Sequence, residues 1–362
     1  MTQNIRSLDT YTTSLDTYVM GPLQITAHSR TSFPAIEQLL ADNELVPLPL
    51  STYESALYTC MNRGAKFSRL VEGGVKVYVT SDLMTRAPVL EAQDVGQALE
   101  IAAYIQENSD ALKKIAESTT QHGRVLDLKS YHVGNDIYVR LLMHTGDASG
   151  HNMTTKAATE VMRFLLDQFP GVKYGSDSGN MCSDKKAAAI NAITGRGKTV
   201  ITEIRIPRAL CIEHLKTTPE AIERLNTKKN LQGSIAAGTQ FSANAHYANI
   251  IAALYIATGQ DIANIVEGSY GITQAKVDEG DLYFSTTHPC IIVGTLGHGK
   301  TGESQRRSLE LLHCLEPRLH LGFNAQRLAA IIAGATAMGE LSLLADQTIH
   351  GRLMSAHEQF ER

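Results

Sequence analysis

The sequence predicts a folded protein that mixes helices and strands, of the α/β or α+β class. Hydrophobic residues make up 43% of the 362 residues and charged residues 19%, which suits one large domain or two domains with a core. Some segments repeat apolar residues with the period of a helix, and others alternate with the period of a strand. Periodicity alone leaves the choice between the two classes open.

Five segments carry the clearest patterns. Residues 97–117 predict a helix, 137–143 a buried strand and 153–169 a second helix. Residues 200–206 alternate like a strand with one face in water, and 245–258 are apolar nearly all round, so we expect a central helix there. No repeat or low-complexity segment marks a domain boundary.

Composition argues against several classes of function. The net charge of −4, from 33 basic and 37 acidic side chains, gives no reason to expect nucleic acid or an anionic membrane as a partner. Residues 1–18 lack the apolar run of a signal peptide. The apolar stretch 328–345 contains Glu340, so we expect a buried helix there rather than a membrane span. The five cysteines are far apart with no C-x-x-C pair, so we expect a reducing cytoplasm and neither disulfides nor a metal site.

Two overlapping motif matches are misleading. Residues 294–301 satisfy the P-loop pattern G-x-x-x-x-G-K-[ST], and 297–302 also fit G-x-G-x-x-G. A nucleotide-binding domain of either kind needs further strands after such a loop, but the remaining residues are typical of helices to the end of the sequence. We interpret the segment as a glycine-rich turn where two stretches of backbone pass closely.

Residues 178–191, S-G-N-M-C-S-D-K-K-A-A-A-I-N, are the most informative segment. Asp184, Lys185 and Lys186 are predicted to open an alanine-rich helix, whose N-terminus adds positive potential. Successive helical residues diverge by about 100°, so the two lysines can face different groups, such as a carboxylate and a developing oxyanion. Taken alone, the pattern favours a solvated helix start.

The surrounding motifs decide between these interpretations. The segment resembles S-G-N-x-C-x-D-K-K-x-A-A-I-N of the 3-hydroxy-3-methylglutaryl-CoA (HMG-CoA) reductase family, and the resemblance extends over residues 46–357. Other similar stretches, in chain order, are S-T-Y-E at 51–54, M-N-R-G at 61–64, D-L-M-T-R at 82–86, G-D-A-S-G-H-N-M at 146–153, G-R-G-K at 195–198, N-A-H-Y-A-N at 244–249, G-Q-D at 259–261, P-C-I-I-V-G-T-L-G at 289–297, G-E-L-S-L at 339–343 and a terminal histidine.

The resemblance implies an α+β fold in which a large helix-rich domain carries an inserted ferredoxin-like dinucleotide-binding domain. We expect the large domain to comprise residues 1–86 and 178–345 and the small domain residues 87–177. Residues 346–362 would form a C-terminal flap. The family places its active site across a dimer interface, so a homodimer or a higher homo-oligomer is implied.

The implied activity is the four-electron reduction of HMG-CoA to mevalonate and CoA with NADPH, NADH remaining possible. By position, Lys185 matches the lysine that stabilises the oxyanion and Glu54 the proton donor to the aldehyde oxygen. Asp261 matches the aspartate that hydrogen-bonds both, although it can also simply cap the helix that follows it. His357 matches the flap histidine that protonates the CoA thiolate.

The resemblance also implies three groups of binding residues. The acyl group would be held by Arg86, Ser178, Asp184, Lys186, His246 and Asn249. CoA would be held by Asn62, Arg63, Lys66, Lys216 and Lys229. The dinucleotide would be held by Gly146, Asp147, Gly150 and Asn152. Gln121 aligns with the arginine that contacts the 2′-phosphate in NADPH-using members. Arg124, three residues further on, is the nearby basic residue that would take that role.

The sequence departs from the family pattern at several positions. The family's E-N-V-I-G motif is not recognisable, F-S-A-N-A-H at 241–246 replaces G-G-x-N-A-H, and Ala356 replaces the serine before the flap histidine. His151 replaces a methionine and His298 a glycine. These changes leave two alternatives open, a divergent paralogue that reduces another acyl thioester and a catalytically silent CoA- or dinucleotide-binding protein.

Overall fold

The computed structural model describes residues 16–31, 37–297 and 299–360, which form two β-sheets covered by helices. The strands are β1 Tyr18–Ser29, β2 Glu37–Leu50, β3 Val75–Arg86, β4 Val89–Glu91, β5 Arg124–Val133, β6 Asp136–His144, β7 Lys173–Ser176, β8 Gly197–Ile206, β9 Ser242–Ala243, β10 Gly271–Asp278 and β11 Asp281–Ile291. The α-helices are α1 Ser55–Ser68, α2 Val95–Glu107, α3 Ser109–Glu117, α4 His151–Gln168, α5 Ala189–Thr194, α6 Arg208–Leu210, α7 Pro219–Asn226, α8 Ser234–Ala236, α9 Tyr247–Ala257, α10 Ile265–Gly268, α11 Glu303–Leu311, α12 Phe323–Gln347 and α13 Arg352–Phe360. Two π-helical segments, Cys211–Leu215 and Thr227–Gly233, and a 3₁₀ turn, Ile262–Asn264, complete them.

The larger sheet has the strand order β2-β1-β3-β8-β11-β10-β9. The β1–β3 and β9–β10 pairs are parallel and the other pairs are antiparallel. Strand β3 belongs to both sheets, because residues 76–83 pair with β8 and residues 84–86 with β6. It therefore carries the chain from one sheet into the other and ends at Arg86.

The smaller sheet has the order β7-β4-β6-β5 and is antiparallel throughout. With α2, α3 and α4 it follows the β-α-β-β-α-β order of a ferredoxin-like unit, which confirms the α+β class. A separate hydrophobic cluster, drawn from residues 90–169, fills the space between this sheet and its helices. The domain bounds of 87–177 stay a prediction.

Helix α12 runs through the main core. It is long and apolar enough to cross a membrane by length and composition, but 94% of its most apolar window is buried inside the protein. It packs on α1, on α9 and on strands of the larger sheet, as a core helix does. The prediction of a buried helix at 328–345 is therefore confirmed.

The strands expected at 137–143 and 200–206 correspond to β6 and β8, and the central apolar helix to α9. The expectation of one helix over 97–117 was wrong. The helix is interrupted at Asn108, whose backbone leaves helical geometry with φ of −105° and ψ of 20°, and whose side-chain amide donates to the Tyr104 carbonyl. Asparagine, serine and aspartate in succession at 108–110 compete with helical hydrogen bonding in this way.

The alanine-rich helix begins later than expected. Helix α5 starts at Ala189, so Lys185 and Lys186 lie in the turn before it, and Lys185 has a left-handed backbone with φ of 55°. The expectation that the two lysines open the helix was therefore wrong, since they precede a helix of only six residues. Among the described residues no strand follows the P-loop-like turn at 294–301, which agrees with its interpretation as a turn.

Candidate active site

A cleft of about 470 Å³ lies where the small sheet meets the large one. We call it the lysine cleft. Its walls are the β6–α4 loop, the turn before α5, the start of the 3₁₀ turn and the glycine-rich turn after β11. Its lining residues are Arg86, Ala148, Ser149, Gly150, His151, Asn152, Met153, Asp184, Lys185, Asp261, Leu296, Gly297 and Lys300.

An ion pair between Lys185 and Asp261 marks the floor of this cleft. Lys185 Nζ lies 2.7 Å from Asp261 Oδ2, and both side chains keep about two-fifths of their surface exposed. The hydrogen bond to Asp261 raises the pKa of Lys185. Burial tends to raise the pKa of Asp261, but Lys185 and the Ala263 N–H lower it below its ordinary value. Asp261 therefore caps the 3₁₀ turn through Oδ1, at 3.1 Å from Ala263 N, and still pairs with the lysine.

A buried pair behind the cleft holds the backbone of Lys185. The Lys185 N–H donates to Glu267 Oε1 at 2.9 Å, and Arg196 Nε lies 3.3 Å from the same oxygen. Arg196 and Glu267 are both fully buried. Burial raises the pKa of Glu267 although Arg196 opposes it. Because a left-handed backbone is unfavourable for lysine, these contacts maintain a turn that the local sequence does not favour.

Arg86, Ser178 and Asp184 form one polar wall of the cleft. Arg86 Nη1 donates to Ser178 Oγ at 3.1 Å, and Arg86 Nη2 lies 3.5 Å from Asp184 Oδ2. Asp184 Oδ1 also accepts from Arg196 Nη2 at 2.6 Å. Burial raises the pKa of Asp184, but Arg196, His151 and Arg86 outweigh it and lower the pKa. This wall can bind a carboxylate through Arg86.

His151 contributes a neutral imidazole to the same cleft. Burial, aided by the nearby Arg196 cation, lowers its pKa to about 4. Its Nε2 atom lies 3.6 Å from Asp184 Oδ1, too far for a hydrogen bond, and is buried without a partner in the described part of the chain. A bound polar ligand could satisfy that nitrogen.

A second, smaller cavity of about 70 Å³ contains Glu54 and His246, together with Cys60, Arg63 and Asp346. We call it the glutamate cavity. Burial tends to lower the pKa of His246, but the Cys60 thiol and the Glu340 carboxylate outweigh it and raise the pKa to about 9. The imidazole is therefore a cation at neutral pH, and its Nε2 lies 3.0 Å from the Gly339 carbonyl.

Glu340 fixes the backbone that presents His246. This fully buried carboxylate accepts from Ala245 N at 2.7 Å, from His246 N at 3.1 Å and from Thr273 Oγ1 at 2.9 Å. It thereby satisfies amides at the start of α9. The sequence motif 339–343 contains Glu340, but only the fold shows that this carboxylate bonds the start of α9.

The two cavities share no lining residue. Lys185 and Asp261 are brought together in one, whereas Glu54, at the N-terminus of α1, lies in the other. No hydrogen bond joins Glu54 to Asp261 in the described residues. His357 belongs to α13, and its side chain lies outside the described residues, as does His298.

The remaining predicted residues are more dispersed. Lys186 and Asn249 are exposed, and Lys186 Nζ donates to the Asp184 carbonyl. Arg63 pairs with Asp346 Oδ1 at 2.5 Å, on the wall of the glutamate cavity. Asn62, Lys66, Lys216 and Lys229 lie exposed on α1 or in and beside the π-helical segments.

Not every residue predicted for the dinucleotide faces the lysine cleft. Gly150 and Asn152 line it, and Gly150 has φ of 93° where α4 begins. Gly146 and Asp147 do not line it, because Asp147 Oδ1 accepts from Ala325 N at 2.9 Å at the start of α12. Arg124 is exposed at the first residue of β5.

Sequence reasoning gave no role to Arg196, Glu267, Glu340 or Lys300, and treated His151 only as a departure. Arg196 lies in the G-R-G-K motif, which was the one available signal for it. Among the described residues no group of three or more His, Cys, Asp or Glu side chains suits a metal ion.

The fold thus combines a ferredoxin-like unit with a cleft that holds the Lys185–Asp261 ion pair and a second cavity lined by Glu54 and His246. The profile of the hydroxymethylglutaryl-coenzyme A reductase family matches residues 32–362, so the chain belongs to that family and is an oxidoreductase. It is 47% identical over 301 residues to 3-hydroxy-3-methylglutaryl-coenzyme A reductase of Pyrococcus horikoshii, which covers 82% of this chain and 72% of that protein.

Two further relatives extend the comparison. The chain is 44% identical over 315 residues to the reductase of Haloferax volcanii, covering 87% of this chain and 77% of the relative. The fold matches the class II reductase of Streptococcus pneumoniae solved with NADPH in open conformations, with a TM-score of 0.72 and 17% identity over 95% of this chain and 87% of the other. The family and the fold expected from the motifs are therefore confirmed.

Proposed function

We propose that the chain reduces HMG-CoA to mevalonate and CoA with two equivalents of NADPH. The observation that carries this proposal is the Lys185–Asp261 pair at 2.7 Å, in a cleft bordered by the β6–α4 loop. A cationic lysine there can stabilise the oxyanion that forms when a carbonyl carbon accepts hydride. The family membership of the chain supports the choice of substrate.

The cleft suits a nicotinamide dinucleotide. The buried His151 Nε2 lacks a partner among the described residues, and a Cβ placed on Gly297 would meet no atom within 4 Å, so this wall leaves room for a ligand. When bound, the reduced nicotinamide supplies hydride to the thioester carbonyl and then to the aldehyde. We infer that NADPH serves in this role, since the related S. pneumoniae enzyme was solved with NADPH.

The chain's own residues then manage charge and protons. Lys185 stabilises the negative oxygen in both reductions, and Asp261 keeps the lysine protonated. The hemithioacetal formed by the first reduction breaks its carbon–sulfur bond. This step leaves the aldehyde and releases the CoA thiolate, which His357 protonates. Glu54 gives a proton to the aldehyde oxygen in the second reduction. In total, one thioester and two protons yield one alcohol and one thiol, with two hydrides transferred.

The acyl group would lie between Arg86, which offers its guanidinium to the distal carboxylate, and the cationic His246. Ser178, Asp184, Lys186 and Asn249 complete the proposed acyl contacts. Asn62, Arg63, Lys66, Lys216 and Lys229 are the proposed CoA contacts. The exposure of Asn62 and the three lysines suits the binding of a large, charged and flexible group, whereas Arg63 is partly buried and paired with Asp346.

We infer that the enzyme acts as a homodimer. Glu54 and Lys185 must reach the same carbonyl oxygen, yet within one chain they line cavities that share no residue. A second copy that brings its glutamate cavity to the lysine cleft would unite them, and in a twofold dimer this happens twice. We place the enzyme in the cytoplasm, without a membrane or nucleic-acid partner, as the composition predicts.

The activity is tested by following absorbance at 340 nm with HMG-CoA and either NADPH or NADH. We expect oxidation of about two nucleotides per CoA released, and loss of at least about 100-fold in kcat for Lys185→Met, since an electrostatic contact to an oxyanion is removed. Oxidation with another acyl thioester but not with HMG-CoA would instead support the divergent paralogue, which the substitutions beside His246 and Gly297 suggest. Binding of CoA or dinucleotide without any turnover would support the silent protein.

A further inference from the structure

The glycine-rich turn at 294–301 places a second lysine in the lysine cleft. Lys300, which makes the turn resemble a P-loop, lines that cleft and is half-buried. Its Nζ atom lies 3.4 Å from Ser149 Oγ, on the loop that leads into α4. The lysine therefore faces the β6–α4 loop although the fold around it is not that of a P-loop protein.

The charge of Lys300 is poorly compensated. Among the described residues no carboxylate lies within 4.0 Å of its Nζ, and a hydroxyl is its one hydrogen-bond partner there. Burial lowers its pKa, and the more distant Asp261 only partly offsets this. Lys185, by contrast, has Asp261 at 2.7 Å. A half-buried cation with so weak a partner is stabilised by an incoming anion.

Backbone contacts dock the start of the glycine-rich turn on the β6–α4 loop. Thr295 N donates to the Asp147 carbonyl at 2.8 Å, which docks the turn on the β6–α4 loop. A Cβ on Gly294 would lie 2.4 Å from Ser149 N, so only glycine allows this close approach. The turn and the loop thus form one surface.

The start of α4 adds a second source of positive potential to that surface. The helix has 18 residues from His151, and its first residues, His151 and Asn152, line the same cleft. The amides of a first helical turn have no acceptor within the helix and point toward its N-terminal end. An anion between them and Lys300 would be bound by both.

We propose that Lys300, with the start of α4, binds the diphosphate of the nicotinamide dinucleotide. This inference rests on the proposed reductase function. The distal carboxylate of the acyl group is the less suitable occupant, since we assign it to Arg86, which also lines the cleft. Lys300 is therefore a binding residue that determines affinity for the dinucleotide and takes no part in hydride transfer.

The test compares Lys300→Met with Lys276→Met, a control that removes an exposed lysine from β10. We expect Lys300→Met to raise the KM for NADPH about tenfold, which corresponds to about 1.4 kcal/mol, with kcat and the KM for HMG-CoA changed less than about twofold. Lys300→Arg should restore most of the affinity. An unchanged KM for NADPH, or a rise confined to the KM for HMG-CoA, would overturn the assignment.

A binding experiment with inorganic pyrophosphate tests the Lys300 site independently of the proposed reductase activity. Direct titration of the folded protein, followed by NADPH fluorescence, needs no turnover. We expect pyrophosphate to displace NADPH from the wild type, and to bind Lys300→Met about tenfold more weakly. If the wild type binds both ligands but reduces no thioester, the function fails and the site stands. If pyrophosphate binds wild type and Lys300→Met equally, the site fails whatever the activity.

Discussion

Replacing Glu267 with glutamine tests how Lys185, the lysine proposed to be catalytic, is held in place. Glu267 Oε1 accepts from Lys185 N at 2.9 Å, from Arg196 Nε at 3.3 Å and from Asn264 Nδ2 at 3.3 Å. Glutamine keeps one carbonyl oxygen but removes the negative charge beside a fully buried guanidinium. Breaking a buried ion pair costs about 3 to 5 kcal/mol, and we expect about 3 kcal/mol because Asp184 still pairs with Arg196 at 2.6 Å.

This free energy translates into a measurable shift of Tm. An unfolding entropy of about 2.1 cal/mol/K per residue is roughly 0.8 kcal/mol/K for a chain of this length, so about 3 kcal/mol lowers Tm by about 4 °C. Loss of the fixed turn also lets Lys185 move, and a displacement of about 1 Å can reduce kcat by about 100-fold. We therefore expect Glu267→Gln to lower kcat by about 10- to 100-fold, with KM values changed less than about twofold.

Scanning calorimetry and the 340 nm assay measure the two effects separately. Glu203→Gln is the matched control, because Glu203 is a partly exposed carboxylate on β8 that hydrogen-bonds Tyr283 Oη at 3.2 Å. It should change neither Tm nor kcat appreciably. If Glu267→Gln kept the wild-type kcat, Glu267 would not position Lys185, whatever its effect on Tm.

Three further variants probe other parts of the account. Asp261→Asn removes the group that raises the pKa of Lys185. The alkaline limb of the pH profile of kcat/KM, where the lysine loses its proton, should therefore move to lower pH. An unchanged limb would argue against Lys185 as the titrating group. His246 has a folded pKa of about 9, above its ordinary value of 6.5, so its contribution to stability is complete below about pH 6.5 and lost as pH rises through 9. Urea unfolding at several pH values should show this slope, and His246→Gln should abolish it. Gly64→Ala would place a Cβ 2.4 Å from the Met338 carbonyl oxygen, where α1 crosses α12. This clash should reduce the free energy of unfolding by about 1 to 3 kcal/mol. An unchanged urea denaturation curve would contradict this packing.

The sequence predicted the helices and strands that have a strong apolar pattern, but it did not predict where such an element is interrupted. Strands β6 and β8 and helices α9 and α12 follow from apolar spacing. The break at Asn108 was missed because the apolar pattern continues across it, although the backbone of Asn108 is not helical. The two short strands of the small sheet, β4 and β7, have three and four residues, too few for an alternating pattern to identify.

The candidate site shows the same division. The motifs singled out Lys185 and Asp261, and the structure brings them to 2.7 Å. The left-handed backbone of Lys185 could not be predicted, because the carboxylate that accepts its N–H belongs to Glu267, 82 residues away. In the sequence, Glu340 is only a charged residue within an apolar helix. The structure shows that its carboxylate accepts hydrogen bonds from Ala245 N and His246 N at the start of α9.

The proposed assembly of the active site from two chains predicts complementation between two inactive variants. Co-expressed Glu54→Gln and Lys185→Met chains form mixed dimers, in which one of the two sites carries neither substitution if the site combines both chains. Because about half of the dimers are mixed, the mixture should regain about a quarter of the wild-type HMG-CoA reduction rate. Lys185→Met with Asp261→Asn is the control and should show no more activity than the two variants give separately, since both residues line one cleft of one chain. Recovery by the first pair alone is the predicted result; failure of that pair to recover activity, with mixed dimers demonstrated, would contradict the two-chain site.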